Sequence, residues 1–270
     1  MRAFRITAQS DEHCDTQPLP LPALHREGHV PPELFRRQAS GEVPRADQNL
    51  APSRFVRSIV LDDGGVRNLA SDNGALLTFV ISGSLAIADG LEDLLTLEPG
   101  DLFLMDAAIA PRLTAVAKNG CRLIQAGVAA DWPGAEAEIL KSGTINPRAT
   151  PEPNLKRVIK DDDDRAYFTE FPELFSAPAN QWSAPRPNSG FRFMSWEGGF
   201  IDWHPEVINC LAIILAGELE IETGGRGGGV EVFRAGDVCL AEDRTGEGHI
   251  DRTRGLMQVA LFVLADDYIW

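Results

Sequence analysis

Two stretches of the chain alternate apolar and polar residues with the two-residue period of half-buried strands, and glycine, proline or aspartate punctuates the runs. Between Ser53 and about Ala130 the runs are SRFVRSIVL, ALLTFVISGSLAIADG, DLLTLEPGDLFLMDA, RLTAVA and CRLIQAGV. From Gly190 onward they are FRFMSWEGGFIDW, NCLAIILAGELEIETG, GVEVFRAGDVCLAED, HIDRTRG and LMQVALFVLA, followed by the aromatic tail DDYIW. Little in either stretch has helical period. Short strands at close spacing predict an all-β protein of barrel or sandwich type.

The flanks read differently. Residues 1–52 hold PLPLPAL at 18–24 and VPPELF at 30–35, and proline removes donors and fixes φ. That predicts an extended N-terminal arm, solvated or packed, with one helical turn after Pro32. Residues 131–189 carry eight prolines, the acidic run Asp161 to Asp164 and the aromatic phrase AYFTEFPELF. Phe168, Phe171, Leu174 and Phe175 suit a short amphipathic turn docking on a core. Adjacent aspartates in an extended segment point apart, so the acidic run reads as a solvated loop rather than a cation site. The expected division is therefore 1–52 arm, 53–130 first barrel, 131–189 connector packing on the barrels, and 190–270 second barrel.

The two strand-rich stretches also repeat each other. FVISGSLAIADG at 79–90 lies over IILAGELEIETG at 213–224, matching Gly83 to Gly217, Leu85 to Leu219 and Ile87 to Ile221. LEPGDLFLMD at 97–106 lies over FRAGDVCLAED at 233–243, with two extra residues that fit the GGRGGG turn at 224–229. Duplication of one β-unit implies two similar domains.

Composition narrows the function. The 270 residues are 44% hydrophobic and 24% charged, and 25 basic against 40 acidic side chains give a net charge of −15. Phosphate backbones repel such a chain, so nucleic acid is not an expected partner. No apolar run approaches the roughly 20 residues of a bilayer span, and the first residues lack the apolar centre of a secretory signal. A cytoplasmic protein without membrane contact is the expectation. Cys14, Cys121, Cys210 and Cys239 show no Cys-x-x-Cys spacing and read as free thiols. No nucleophile elbow or dinucleotide fingerprint is present, and no helix follows the GGRGGG run, so it is a flexible hairpin rather than a phosphate cradle.

Pro99-Gly100-Asp101 and Ala235-Gly236-Asp237, each preceded 17 to 19 residues earlier by a glycine closing a strand, resemble the cupin superfamily. Two such units resemble a bicupin. The resemblance covers about 53–130 and 190–265. It implies two tandem cupin-like barrels (double-stranded β-helix or jelly-roll), the first degenerate, and a homodimer paired through strands. Metal-binding cupins carry two histidines one residue apart, then a glutamate, then a further histidine after the Gly-Asp turn. On this chain those positions are His204, Glu206, Cys210 and His249, so two histidines match and two ligands are replaced.

Imidazole, carboxylate and thiolate are all metal ligands, and the set suits iron, manganese, nickel or zinc. His204, Glu206 and Cys210 share one face if the strand continues through Pro205. In the first repeat Ala70, Asp72 and Leu76 stand at these positions, and no histidine lies near Leu113, so that unit reads as a structural partner. Trp203, Glu242 and Arg254 are candidates for a small-molecule pocket, the arginine as a contact for an anionic substrate. Two functions stay open. One is a mononuclear metal enzyme of dioxygenase, decarboxylase or isomerase type. The other is a non-catalytic small-molecule-binding or structural bicupin with a decayed site and no metal.

Overall fold

The computed structural model describes residues 1–9, 13–39, 50–68, 74–90, 92–106, 108–132, 152–265, 267–268 and 270. The chain begins with β1 (Ala3–Ala8), β2 (Cys14–Pro18) and β3 (Ala23–Glu27), then the helix α1 (Pro32–Ala39). β4 (Ser53–Leu61), β5 (Val66–Asn68), β6 (Ala75–Asp89), β7 (Glu92–Leu97), β8 (Leu102–Asp106) and β9 (Leu113–Val128) follow. The second half runs β10 (Leu155–Lys160), β11 (Ala166–Glu170), a 3-10 turn at Pro172–Phe175, β12 (Asn188–His204), β13 (Cys210–Ala216) and β14 (Glu218–Thr223). It ends with β15 (Gly229–Arg234), β16 (Val238–Ala241) and β17 (His249–Leu264).

The strands form two sheets of one design, and the described residues are all-β apart from α1 and the 3-10 turn. The first has the order β2-β1-β8-β6-β9-β4, with β5 on β9 and β7 on β6. The second has the order β11-β10-β16-β13-β17-β12, with β14 between β15 and β17. In each, a hairpin joins through its first strand in parallel to the strand after the Gly-Asp turn, β1 to β8 and β10 to β16. The repeat thus extends to β1 and β2, inside the segment read as an arm. β3 leaves the first sheet and pairs in parallel with β12, matching Ala23 to Phe193 and Glu27 to Glu197. The arm therefore ties both sheets together.

The Gly-Asp turns show why the repeat is visible. Gly100 N donates to Val80 O at 2.9 Å, and Gly236 N to Ile214 O at 2.8 Å. Each aspartate is buried and closes its own turn: Glu98 N donates to Asp101 Oδ2 at 3.0 Å and Arg234 N to Asp237 Oδ2 at 2.7 Å. The other carboxylate oxygen reaches the incoming hairpin, accepting Arg2 N at 2.6 Å and Asn154 N at 2.8 Å. One side chain satisfies two backbone donors that burial would otherwise orphan.

Alternation sorts the side chains into three cores. On β6, Leu77, Phe79 and Ile81 face the second sheet, whereas Leu76, Val80, Leu85 and Ile87 fill the first barrel. Across the junction, Phe79 meets Phe262 edge-on at 5.7 Å, and within the second sheet Phe191 stacks on Phe262 at 5.4 Å. β13 is buried along its whole length because both faces are covered, which explains its unbroken apolar run. The phrase AYFTEFPELF splits between β11 and the 3-10 turn, with Phe171 and Leu174 in the junction core. Asp161 to Asp164 form the β10–β11 turn, where Asp161 accepts the backbone N–H of Asp163 at 3.0 Å. All four cysteines are unpaired, buried and on strands.

Candidate functional site

The second barrel encloses a cavity of about 80 Å³. Its polar end is built where β12 stops and β17 starts, because His204 and His249 are a cross-strand pair there. Their ring centroids lie 4.6 Å apart. Asp251, two residues along β17, shares the face of His249. Gly248, at φ +78°, lets the chain pass against His204: a Cβ there would sit 1.8 Å from His204 O. Only glycine permits that approach.

The donor atoms of His204, His249 and Asp251 lie within 4.8 Å of one another. His204 Nε2 is 3.7 Å from Asp251 Oδ2, and His249 Nε2 is 3.6 Å from Asp251 Oδ1. These distances exceed hydrogen-bond length. His204 Nδ1 lies 3.0 Å from Asp202 O, which takes its proton and leaves a lone pair on Nε2. His249 Nδ1 lies 2.6 Å from Asp243 Oδ2, which orients the second imidazole in the same way. His204 Nε2 and Asp251 Oδ1 are buried with no hydrogen-bond partner among the described residues.

Burial, and then the neighbouring His249, lowers the His204 pKa to about 4, so this imidazole is neutral at physiological pH. Burial works against the charge of His249, but Asp243 and Asp251 outweigh it and hold its pKa well above the usual histidine value. Burial likewise opposes the charge of Asp251, and His249 outweighs it, so Asp251 titrates below the ordinary carboxylate range. Burial raises Glu206 to about 7 and lifts Cys210 well above a normal thiol.

Two neutral-capable imidazoles and a carboxylate with orphaned, convergent atoms form a donor set that fits a divalent ion. Ligands about 2.1 Å from one ion stand about 3.4 Å apart in a tetrahedral site. The two histidine–carboxylate separations, which end on different oxygens of Asp251, are 3.7 and 3.6 Å, and the three donor atoms lie within 4.8 Å of one another.

Of the residues singled out in the sequence, His204, Glu206, Cys210 and His249 all line this cavity. Glu206 and Cys210 stand outside the cluster of converging donor atoms. The geometry that brings them there differs from the one expected. β12 ends at His204, Glu206 follows Pro205 in a turn held by its N–H on Asp243 O at 3.2 Å, and Cys210 opens the next strand.

Trp203, Glu242 and Arg254 do not line the cavity. Trp203 packs beside the β14–β15 hairpin, where a Cβ on Gly224 would be 3.3 Å from its ring. Glu242 accepts Arg157 Nε at 2.7 Å and the Tyr268 hydroxyl. Arg254 has 90% of its side chain exposed, 3.7 Å from Glu220.

Sequence reasoning missed Asp251, Asp243, Arg192 and the arm residues Arg26 and Phe35. His-x-Asp on a strand places both side chains on one face, so Asp251 carried the same signal as His204 and Glu206. Arg192 is in phase with Met194 and Trp196, the cavity side of β12. Nothing local marks Arg26 or Phe35, which arrive through the pairing of β3.

The first barrel has no such site among its described residues. Leu113 and Ala115 occupy the places of His249 and Asp251, and Leu76 that of Cys210, all within a closed apolar core. Ala70 and Asp72 lie outside the described residues.

No family model and no curated protein matches the sequence. Solved structures of similar fold include a cupin 2 conserved barrel domain protein from Leptotrichia buccalis, at 12% identity over 84% of this chain and 94% of that one, with a TM-score of 0.39. A putative glyoxylate-induced protein from Pseudomonas aeruginosa matches at 13% identity over 84% of this chain and 80% of that one, with a TM-score of 0.35. A mutant of oxalate decarboxylase from Bacillus subtilis matches at 14% identity over 80% of this chain and 70% of that one, with a TM-score of 0.28. Of the three, the Leptotrichia buccalis protein is the one named as a cupin barrel.

Proposed function

We propose that the second barrel binds one divalent metal ion through His204, His249 and Asp251 and uses it on a small polar molecule held in the same cavity. The observation that carries this reading is the pair of orphaned buried atoms, His204 Nε2 and Asp251 Oδ1, facing His249. Unpaired buried polar atoms cost about 1–3 kcal/mol each, and a shared ion would satisfy both.

A bound ion would supply Lewis-acid polarisation of a substrate oxygen or activation of a small oxidant. The chain's own residues would do the rest. Asp243 holds His249 in the tautomer that presents Nε2 to the cavity. Glu206 holds or releases a proton at its carboxyl beside the ligand cluster. The apolar walls exclude bulk water, and the first barrel serves as a structural partner.

Titration of chelator-treated protein with Mn(II), Fe(II), Ni(II) and Zn(II) tests the reading. About one equivalent should bind to the wild type, and His204→Ala or Asp251→Ala should abolish binding while circular dichroism stays unchanged. A metal-free binding protein is the second reading. It is favoured by the placement of His249 between Asp243 and Asp251, which neutralises charge without an ion. It expects no metal uptake and ligand-induced thermal shifts that chelator leaves intact.

A further inference from the structure

A piece of chain from outside the second barrel covers its cavity. β3 pairs with β12 as far as Glu27, and Gly28, at φ +63°, then turns the arm toward the end where His204 and His249 lie. That turn is firmly tied. Gly28 N donates to Gly198 O at 2.8 Å, Trp196 Nε1 to Gly28 O at 3.0 Å and Val30 N to Phe200 O at 3.1 Å. The His29 ring packs on Phe200 with centroids 4.4 Å apart.

Beyond Val30 the attachment changes character. The buried side chains of Phe35 and Gln38 seat α1, and Phe35 is the residue of that helix that lines the cavity. Its ring centroid stands 4.5 Å from that of His204, and the Arg26 guanidinium carbon stands 5.9 Å from the centre of the same ring. His204 beside it is fully buried, Nε2 included.

The helix has eight residues. Isolated helices shorter than about 12–15 residues are marginal in water, so α1 persists because it is seated. Lifting Phe35 therefore melts α1 instead of swinging it as a rigid arm. The hydrogen bonds at Gly28 and Val30 hold the preceding strand in place meanwhile. Local unfolding of this kind needs few contacts broken and lies far below the cost of opening a barrel.

We infer that α1 is a gate on the second barrel, closing the cavity with Phe35 and opening by unwinding from Val30 onward while the barrel stays folded. The gate governs entry to the cavity of the proposed metal site and holds whether or not an ion is bound there.

Cys210 and Cys239 line the cavity and Cys121 fills the first barrel, so the protein carries its own reporters and reference. Methyl methanethiosulfonate converts an accessible thiolate to a methyl disulfide and releases methanesulfinate, and peptide mass spectrometry reads each cysteine separately. Phe35→Ala should speed labelling of Cys210 and Cys239 at least about tenfold and leave Cys121 unchanged, with Phe35→Leu between. Unwinding α1 exposes little surface. Labelling of the two cavity thiols in the wild type should therefore be nearly independent of low urea, whereas Cys121 awaits a larger opening and should speed up steeply. Amides of α1 should also exchange hydrogen faster than those of β12 and β17. Unchanged labelling of Cys210 and Cys239 in Phe35→Ala would overturn the inference. Should that variant fail to fold or label all three cysteines faster, the urea series on the wild type decides alone. A dependence as steep at Cys210 and Cys239 as at Cys121 then overturns the gate, and a flat one upholds it. None of these readouts uses metal, so a chain that takes up no ion leaves the gate standing.

Discussion

At the residue scale, the site depends on which nitrogen of each imidazole carries the proton. His204 Nδ1 is held by Asp202 O and His249 Nδ1 by Asp243, so both Nε2 atoms are turned toward Asp251. Asp243→Asn can turn its amide N–H toward His249 Nδ1 and reverse that tautomer. Metal affinity should then fall about 10- to 100-fold, measured by competition with a chromogenic chelator, with little change in fold. Unchanged affinity would mean that Asp243 only fills space. His204 and His249 were legible in the sequence because histidine is scarce there: five occur, and these two lie outside the first 30 residues. Asp251 was harder to see because the chain holds 40 acidic residues, and only its phase with His249 sets it apart.

At the element scale, the glycines that close the repeated strands are the reason the duplication could be read. Gly83 has φ +69° and a Cβ there would lie 2.6 Å from Gly120 O; Gly217 has φ +75° and a Cβ would lie 2.2 Å from Leu256 O. Conformation and space both forbid a side chain. Gly90 has φ +61° but nothing within 4 Å. Alanine should cost about 1–2 kcal/mol at Gly90, from backbone strain alone, and distinctly more at Gly83 and Gly217. Equal costs in urea unfolding at the three positions would contradict the close approaches.

The hairpins β1–β2 and β10–β11 belong to the same repeat, yet their spacing from the turns they join differs between the halves. Their pairing is long-range and parallel, so no local pattern announces it. The strand assumed to run from His204 to Cys210 failed for a local reason. Proline at 205 has no N–H for a ladder, and the chain turns there.

At the scale of the whole molecule, the two sheets share a core in which Phe79, Phe191, Phe193 and Phe262 interlock, and β3 crosses from one sheet to the other. Separate unfolding of the halves would expose that junction. Calorimetry should therefore show one transition, and Phe262→Ala should lower it as a unit, at a cost of about 3–5 kcal/mol. Two resolved transitions would mean that the junction is weaker than its packing implies. Alternation along the strands predicted two barrels but gave no sign of the face they bury against each other, because β6 and β13 are apolar on both sides. The first barrel fills its interior with Leu85, Ile87, Leu97 and Leu113, whereas the second places histidines and carboxylates around a cavity.

On the proposed reading His204, His249 and Asp251 hold one ion. Elemental analysis of protein purified without a histidine tag, wild type beside the His204→Ala, His249→Ala double variant, addresses it most directly. The expected result is about one equivalent of iron, manganese, nickel or zinc in the wild type and none in the double variant. Equal metal content in the two proteins, or none in the wild type after reconstitution, would contradict it.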